Sequence, residues 1–368
     1  MKILLIRLRL IGDVVFTTPA VRAIRQTFPD AHLTYLIEPH AAPIVQHNPH
    51  LDAVIVAPRT RGLRRVADDL ALAASLRRSR FDVVMDFHGG PRASWLAWAT
   101  GAPVRLGYRV AGRGWMYTRA IDRPRSLRPR HSVENQWDLL PALSPALARP
   151  PDPAADRVEM GEDPDARARV HRRLQEAGVT PMHEVIVIHV SAGNPFRRWP
   201  IEAFVDLAVQ LGGTGRDRRI ILTSGPSDAE AARRVGDEAR TRLGVGVKAD
   251  AIVMGEEFSL TELRTLLTRA ALFIGGDSGP LHVAATTDIP IVGLYGPTLP
   301  VRSAPWRPPW LVTESVDVAD LPCRPCDQRR CAPGDFRCLT RLSSDLVTQA
   351  AERALARARV AIEAGPMI

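Results

Sequence analysis

Short apolar runs alternate with stretches of helical spacing, and the whole series occurs twice. In the first half, Ile3–Ile6, His32–Ile37, Ala53–Val56 and Asp82–Asp86 read as strands, with helical spacing over Thr17–Thr27 and Val66–Arg78. In the second, strands are expected at Glu184–His189, Arg219–Thr223, Ala271–Ile274 and Ile291–Leu294. Helices are expected at Ile201–Leu211, Leu260–Arg269, Pro280–Thr286 and Asp345–Val360. An apolar strand followed by an amphipathic helix is the pattern of a parallel sheet covered by helices on both faces. Prolines crowd the stretch from Pro124 to Pro164, which reads as the end of one domain and a linker into the next. The predicted fold class is therefore α/β, with two Rossmann-like halves and a ligand cleft expected between them at the carboxyl ends of their strands. The expected boundaries are 1–160, 161–345 and a closing helix in 346–368, the last predicted to pack back on the N-terminal half.

The 368 residues suffice for two such cores. Arg7 and Arg9 interrupt the apolar N-terminus, which fits a buried strand better than a signal peptide. No run approaches the roughly 18 uncharged apolar residues of a membrane span, so a cytoplasmic location is expected.

The formal net charge of +9 is unevenly spread. Eight arginines lie between Arg105 and Arg130 against one acid, Asp122, and a second group comprises Arg59, Arg61, Arg64 and Arg65. Such density attracts anionic lipid or phosphorylated saccharide. Without an aromatic stacking array or a recognised nucleic-acid module, nucleic acid is not the expected partner. The competing reading is ordinary solvated surface charge.

Three strand ends carry chemistry. Phe273-Ile-Gly-Gly-Asp277-Ser278-Gly279-Pro280-Leu-His282 runs from an apolar strand through glycines into a helix start. Glycines admit close backbone approach, and a helix N-terminus presents free N–H groups, which together suit a diphosphate. Asp277 and His282 suit sugar or ribose hydroxyls. His189-Val-Ser191-Ala-Gly193-Asn-Pro-Phe-Arg197-Arg-Trp-Pro200 again follows a strand. There Ser191 and Gly193 are expected to meet phosphate oxygens, and Arg197 to stabilise the charge of a leaving diphosphate without a metal. Arg9-Leu-Ile-Gly12-Asp13 follows the first strand and offers a carboxylate that can take a proton from an acceptor hydroxyl. Its plainer alternative is a helix cap. Gly225, after Thr223, and Met254, in a later apolar run, are expected beside the nucleotide.

Together these motifs resemble the ADP-heptose:lipopolysaccharide heptosyltransferase family (glycosyltransferase family 9), which has the GT-B fold. The resemblance runs from Leu4-Leu-Ile-Arg-Leu-Arg-Leu-Ile-Gly12-Asp13-Val-Val-Phe-Thr-Thr-Pro-Ala20 through Arg197-Arg-Trp-Pro200, Ser259-Leu-Thr-Glu-Leu263 and Gly276-Asp-Ser-Gly-Pro-Leu-His282 to Leu294-Tyr-Gly-Pro-Thr298. It implies an inverting, metal-independent transferase that moves a heptose from ADP-heptose to the inner core of lipopolysaccharide. Asp13 looks like the family's catalytic base, and Asp277, Ser278 and Gly279 like its donor-binding Asp-Thr-Gly. Arg197 stands where the family usually has a lysine, keeping charge but changing geometry. The N-terminal half is then expected to bind an anionic acceptor through Arg59, Arg61, Arg64 and Arg65, in peripheral contact with the inner face of the cytoplasmic membrane. The alternatives are a different nucleotide sugar, an epimerase on the same fold, or a non-catalytic nucleotide- or saccharide-binding protein.

Cys323, Cys326, Cys331 and Cys338 fall close together. Their spacing is compatible with structural zinc. The reading taken is unligated or partly paired thiols, with no metal required for the chemistry.

Overall fold

The computed structural model describes residues 1–123, 129–190, 194–214, 217–244, 249–254 and 257–363. It divides into two compact units, Met1–Gly161 with Trp306–Pro308, and Glu162–Pro305 with Pro309–Ile368.

In the first unit, strands β1 (Lys2–Ile6), β2 (His32–Ile37), β3 (Ala53–Val56), β4 (Val83–Asp86), β5 (Val104–Tyr108) and β6 (Arg119–Ile121) form one sheet in the order β3-β2-β1-β4-β5-β6. Every pairing is parallel. The order of strands reverses between β1 and β4, because β1 leads to β2 on one side and the chain returns to β4 on the other. At that point loops diverge and leave a crevice beyond the strand ends, the usual place for a ligand in an open α/β sheet. The register pairs Ile6 with Asp86, so the residues that leave both strands begin side by side.

The second unit repeats the plan. Strands β7 (Glu184–His189), β8 (Arg218–Thr223), β9 (Ile252–Met254), β10 (Leu272–Gly276), β11 (Ile291–Tyr295) and β12 (Thr313–Asp317) take the order β12-β11-β10-β7-β8-β9, again all parallel. Its reversal lies between β7 and β10, with His189 beside Gly275. A Cβ on Gly275 would lie 2.8 Å from the Phe273 ring and 3.3 Å from the His189 Cβ. Gly275 is therefore required by strand packing, whereas the sequence had suggested ligand approach.

The proline-rich stretch is not a free linker where it is described. Val133, Trp137, Leu140, Leu147, Val158 and Met160 are buried within the first unit, and Trp137 Nε1 donates to the Arg149 carbonyl at 2.6 Å. Pro141 and Pro145 sit in the first turns of short helices, where a missing N–H costs nothing. The closing helix, Ser344–Glu363, belongs to the second unit. Val347, Ala350, Ala351, Ala354 and Leu355 enter that unit's core. Arg218 fixes the helix by pairing with Glu352. Its small residues allow close approach to the helix Ile201–Gly212 and to the sheet.

Candidate active site

At the reversal of the first sheet, the turn after β1 places Asp13 in the first turn of the short helix Ile11–Val15. The cap position is Leu10, without a side-chain hydrogen bond, so Asp13 is not the helix cap. Leu10 has φ +70°, a conformation costly for a branched side chain and one that clusters at functional turns. The Asp13 carboxylate, 28% exposed, instead accepts from Arg7 Nη2 through Oδ2, and Arg7 Nη1 donates to the Phe87 carbonyl at 2.8 Å. Gln136 Nε2 holds the Asp13 backbone carbonyl at 3.2 Å. Arg7 is thus a site residue that sequence reasoning took only as a break in an apolar run. The signal available was a charge directly after the last residue of a buried strand, which must find a partner.

The end of β4 completes this group. Asp86 is fully buried and accepts from the His88 and Gly89 backbone N–H groups at 2.8 and 2.9 Å and from the Tyr117 hydroxyl at 2.6 Å. Burial pushes its carboxyl up, and those three donors oppose the shift. The loop so fixed turns at Gly89, with φ +66°. His88 is pushed down to about 4 by burial, with the Arg7 and Arg9 charges adding and Asp13 opposing, so it is neutral at pH 7.

At the reversal of the second sheet, four side chains converge on the end of β10. Asp277 is buried, accepts from Thr298 Oγ1 at 2.6 Å and from Arg197 Nη1 at 3.2 Å, and faces His282 Nε2 at 3.5 Å. Burial alone would raise its carboxyl. The His282 contact, the Arg197 charge and the Thr298 hydroxyl outweigh it and bring the group to about 2. The sequence put Asp277 on ligand hydroxyls, whereas here it is engaged largely as an anchor for a cation. Arg197 also donates from Nη1 to the Asp277 carbonyl at 2.9 Å and from Nε to Gln328 Oε1 at 2.8 Å. Those contacts use Nε and Nη1, and the two N–H groups of Nη2 take no part in them. Ser278 precedes the helix Gly279–Ala284 as its cap residue, and its buried Oγ has no hydrogen bond among the described residues.

Of the other expected donor residues, Gly225 follows β8 and begins the turn Pro226–Asp228, while Met254 ends β9. Ser191 and Gly193 lie outside the described residues. Trp199 is core packing, with Nε1 donating to the Leu342 carbonyl at 2.8 Å.

His189, buried at the end of β7, bonds Thr223 Oγ1 through Nδ1 at 3.0 Å and is pushed down to about 4 by burial, against the pull of Asp228. It stays neutral in the fold, whereas the unfolded chain takes up a proton near 6.5. Its contribution is complete above pH 6.5 and is lost as pH falls towards 4. The expected loss is on the order of 2–3 kcal/mol. Thermal midpoints measured from pH 7 to 4 should fall steeply, and less steeply in His189→Asn. Parallel slopes would refute the assignment.

Most of the first arginine group serves the fold. Arg105 donates to the Met116 and Ala102 carbonyls, Arg109 pairs with Asp122, Arg119 donates to the Ala142 carbonyl, and Arg123 stacks 3.2 Å above the Tyr108 ring. Arg125 and Arg128 lie outside the described residues. Arg59, Arg61, Arg64 and Arg65, by contrast, are all exposed around the start of the helix Gly62–Arg78. Two of them have long ion pairs among the described residues, Arg59 to Glu38 at 3.9 Å and Arg65 to Asp69 at 3.8 Å. The same helix exposes Leu63 (90%), Val66 (56%) and Leu70 (57%) at a helical spacing.

All four cysteines are free thiols lining one cavity of about 260 Å³. Burial pushes the Cys338 thiol up. Among the described residues no three His, Cys, Asp or Glu side chains are disposed to hold a metal ion, so the zinc reading finds no ligand set here.

Comparison with known proteins agrees with this geometry. Residues 70–335 match the family described as glycosyltransferase family 9 (heptosyltransferase). Lipopolysaccharide heptosyltransferase 3 of Escherichia coli is 25% identical over 326 residues, which is 88% of this chain and 91% of that protein. The crystal structure of a family 9 glycosyl transferase from Veillonella parvula DSM 2008 superposes with TM-score 0.80 at 24% identity, covering 96% of this chain and 97% of that one. ADP-heptose lps heptosyltransferase II of E. coli superposes with TM-score 0.76 at 19% identity, covering 98% and 100%. Two parallel sheets of the GT-B kind, each with polar side chains gathered at its reversal, together with these similarities, show that the chain is a glycosyltransferase and belongs to family 9, the heptosyltransferases.

Proposed function

We propose that the protein transfers a heptose from ADP-heptose to the inner core of lipopolysaccharide, with inversion and without a required metal. The observation that carries this reading is the anchored guanidinium of Arg197, whose Nη2 is left for a diphosphate. The E. coli relative of similar fold is named for ADP-heptose, which supports the choice of donor.

In this reading the acceptor hydroxyl attacks the anomeric carbon from the face opposite the diphosphate. The new C–O bond forms as the bond to the β-phosphate oxygen breaks, so the configuration inverts. Asp13 takes the hydroxyl proton. Arg7 engages its Oδ2 and so fixes the carboxylate, leaving Oδ1 as the base. The negative charge that grows on departing ADP is met by Arg197 and by backbone N–H groups near Ser278 and Gly279. The helix there has only six residues, so its contribution comes from those nearby N–H groups more than from an extended dipole. Gly225 and Met254 are assigned to the nucleoside, and His282 supports Asp277. A transfer assay over ADP-, UDP- and GDP-sugars, with truncated lipopolysaccharides as acceptors and the product linkage determined, tests the reading. Equal use of UDP or GDP donors would refute the donor, and activity lost in EDTA the metal independence.

The anionic acceptor is assigned to Arg59, Arg61, Arg64 and Arg65, and the exposed Leu63, Val66 and Leu70 beside them to an anionic bilayer surface at the cytoplasmic face of the membrane. No helix among the described residues is long and apolar enough to cross a membrane. Each arginine near an anionic surface contributes about 1 kcal/mol. The protein should therefore sediment with phosphatidylglycerol vesicles and not with phosphatidylcholine vesicles. The Leu63→Glu, Leu70→Glu double variant should lose at least about tenfold in partitioning while retaining activity on a detergent-free truncated acceptor. Unchanged partitioning of that variant would remove this helix from the membrane assignment.

A further inference from the structure

We propose that Gln328, on the cysteine-bearing loop, is a positioning residue that sets the Arg197 guanidinium and makes that loop part of the donor site. The inference rests on the reading of Arg197 as the diphosphate contact.

Gln328 Oε1 accepts from Arg197 Nε at 2.8 Å and from Asn194 Nδ2 at 2.8 Å. Both partners are donors, so the amide orientation is fixed by the network. Together with the two bonds from Arg197 Nη1 to Asp277, this holds the guanidinium at two separate nitrogens, Nε and Nη1, whose N–H groups point in different directions. Rotation about the last side-chain bonds is thereby removed, and the direction of Nη2 is defined before any ligand arrives. Such pre-organisation is what a charge-stabilising group needs.

The neutrality of Gln328 matters. Asp277 already supplies one negative charge to Arg197, and a second would cancel the cation and repel a diphosphate. An amide oxygen orients the guanidinium while leaving its charge available.

The loop is built to hold Gln328 there. Its φ is +60°, a left-handed conformation uncommon for a side chain of this kind. Its backbone N–H donates to Cys326 Sγ at 3.3 Å, and the Cys326 N–H donates to the Pro297 carbonyl at 3.2 Å. Arg324 Nη2 donates to the Thr298 carbonyl at 2.6 Å, and the hydroxyl of that same Thr298 donates to Asp277. The loop is thus tied to the Arg197–Asp277 pair from both sides, through Gln328 and through Thr298. This gives the cysteine segment a use that needs neither a metal nor a thiol in the reaction.

Calorimetry with ADP and steady-state kinetics on the full-length protein test the inference, in a double-mutant cycle of Gln328→Ala and Arg197→Ala with Gln328→Glu as a charge control. Gln328→Ala should weaken ADP binding and raise the donor KM about tenfold, leave the acceptor KM within twofold, and have no further effect once Arg197 is alanine. Gln328→Glu keeps the acceptor oxygen, yet it should weaken ADP binding at low salt with partial recovery at high salt. Additive losses in the cycle, or ADP affinity unchanged by Gln328→Ala while Arg197→Ala reduces it, would overturn this role and leave the donor assignment standing. ADP affinity unaffected by Arg197→Ala itself would instead overturn the donor assignment on which the inference rests. Circular dichroism and thermal midpoints within a few degrees of wild type establish that each variant is folded.

Discussion

Replacing Asp13 by Asn is expected to lower kcat by 10²- to 10⁴-fold while ADP affinity stays within about twofold. The amide keeps the volume and can still sit beside Arg7, but it cannot take a proton from the acceptor hydroxyl. Loss confined to kcat is the signature of an interaction used in the transition state alone. The carboxylate is 28% exposed and lies in the first turn of a short helix, so the substitution costs little packing. Its main structural effect is on Arg7, which remains bonded to the Phe87 carbonyl at 2.8 Å. Asp13→Glu should retain part of the activity, since a longer carboxylate preserves the chemistry and disturbs the position. If Asp13→Asn transferred at more than about a tenth of the wild-type rate, the general-base role would be wrong, and proton removal would have to be assigned elsewhere, with neutral His88 the next candidate.

The second large effect is expected at Arg197. Removing its side chain should lower kcat/KM for donor by 10²- to 10³-fold, the size found when one pre-organised donor to a developing anion is lost. Arg197→Lys should recover only part of this. An ammonium restores charge but cannot hold Asp277, Gln328 and a phosphate in one plane. Asp277 supplies a contrasting test. Its carboxylate is buried at 3% side-chain exposure and paired, so Asp277→Ala leaves a partly buried cation without its counter-charge. A stability loss of about 3–5 kcal/mol is expected. The carboxyl is held near 2, below its unfolded value of 3.8. Its contribution is present above pH 3.8 and disappears only as pH falls through about 2. Loss of donor binding between pH 6.5 and 4 therefore cannot come from Asp277. A donor KM for Arg197→Ala within a few-fold of wild type would remove the diphosphate contact from this residue.

The two expectations separate the chemistry. Asp13 variants should act on the turnover of bound substrates, and Arg197 variants on donor capture as well as turnover. A product-inhibition series with ADP distinguishes them without structural work, because only the second class should shift the ADP inhibition constant.

The sequence made most of the fold legible. Central strands such as β1, with Ile3–Ile6 fully buried, are unbroken apolar runs because both faces of a parallel sheet are covered, and any reading by periodicity finds them. Strands β5, β6 and β12 were not expected. VRLGY, RAI and TESVD carry charges and polar groups permitted near sheet edges, where local pattern weakens and pairing with a neighbour decides. The closing helix is legible as a helix, but that its buried face enters the core of the second unit is not, because amphipathic spacing shows that a face is buried and not what buries it.

The site divides the same way. Residue type and position after a strand pointed to Asp13, Arg197, Asp277 and Ser278, since a strand end followed by glycine or a polar cap is a local signal. Partners distant in sequence stayed hidden. The Phe87 carbonyl that holds Arg7 could be seen only once β1 lay beside β4, and Gln328 on Arg197 only once a loop 131 residues further along the chain folded against it. Local sequence determines which elements form and which groups they present. Side-chain direction, burial and the sharing of one hydrogen-bond acceptor between two donors depend on distances that exist only after the sheets close, so the tertiary structure alone decided what each charge is paired with.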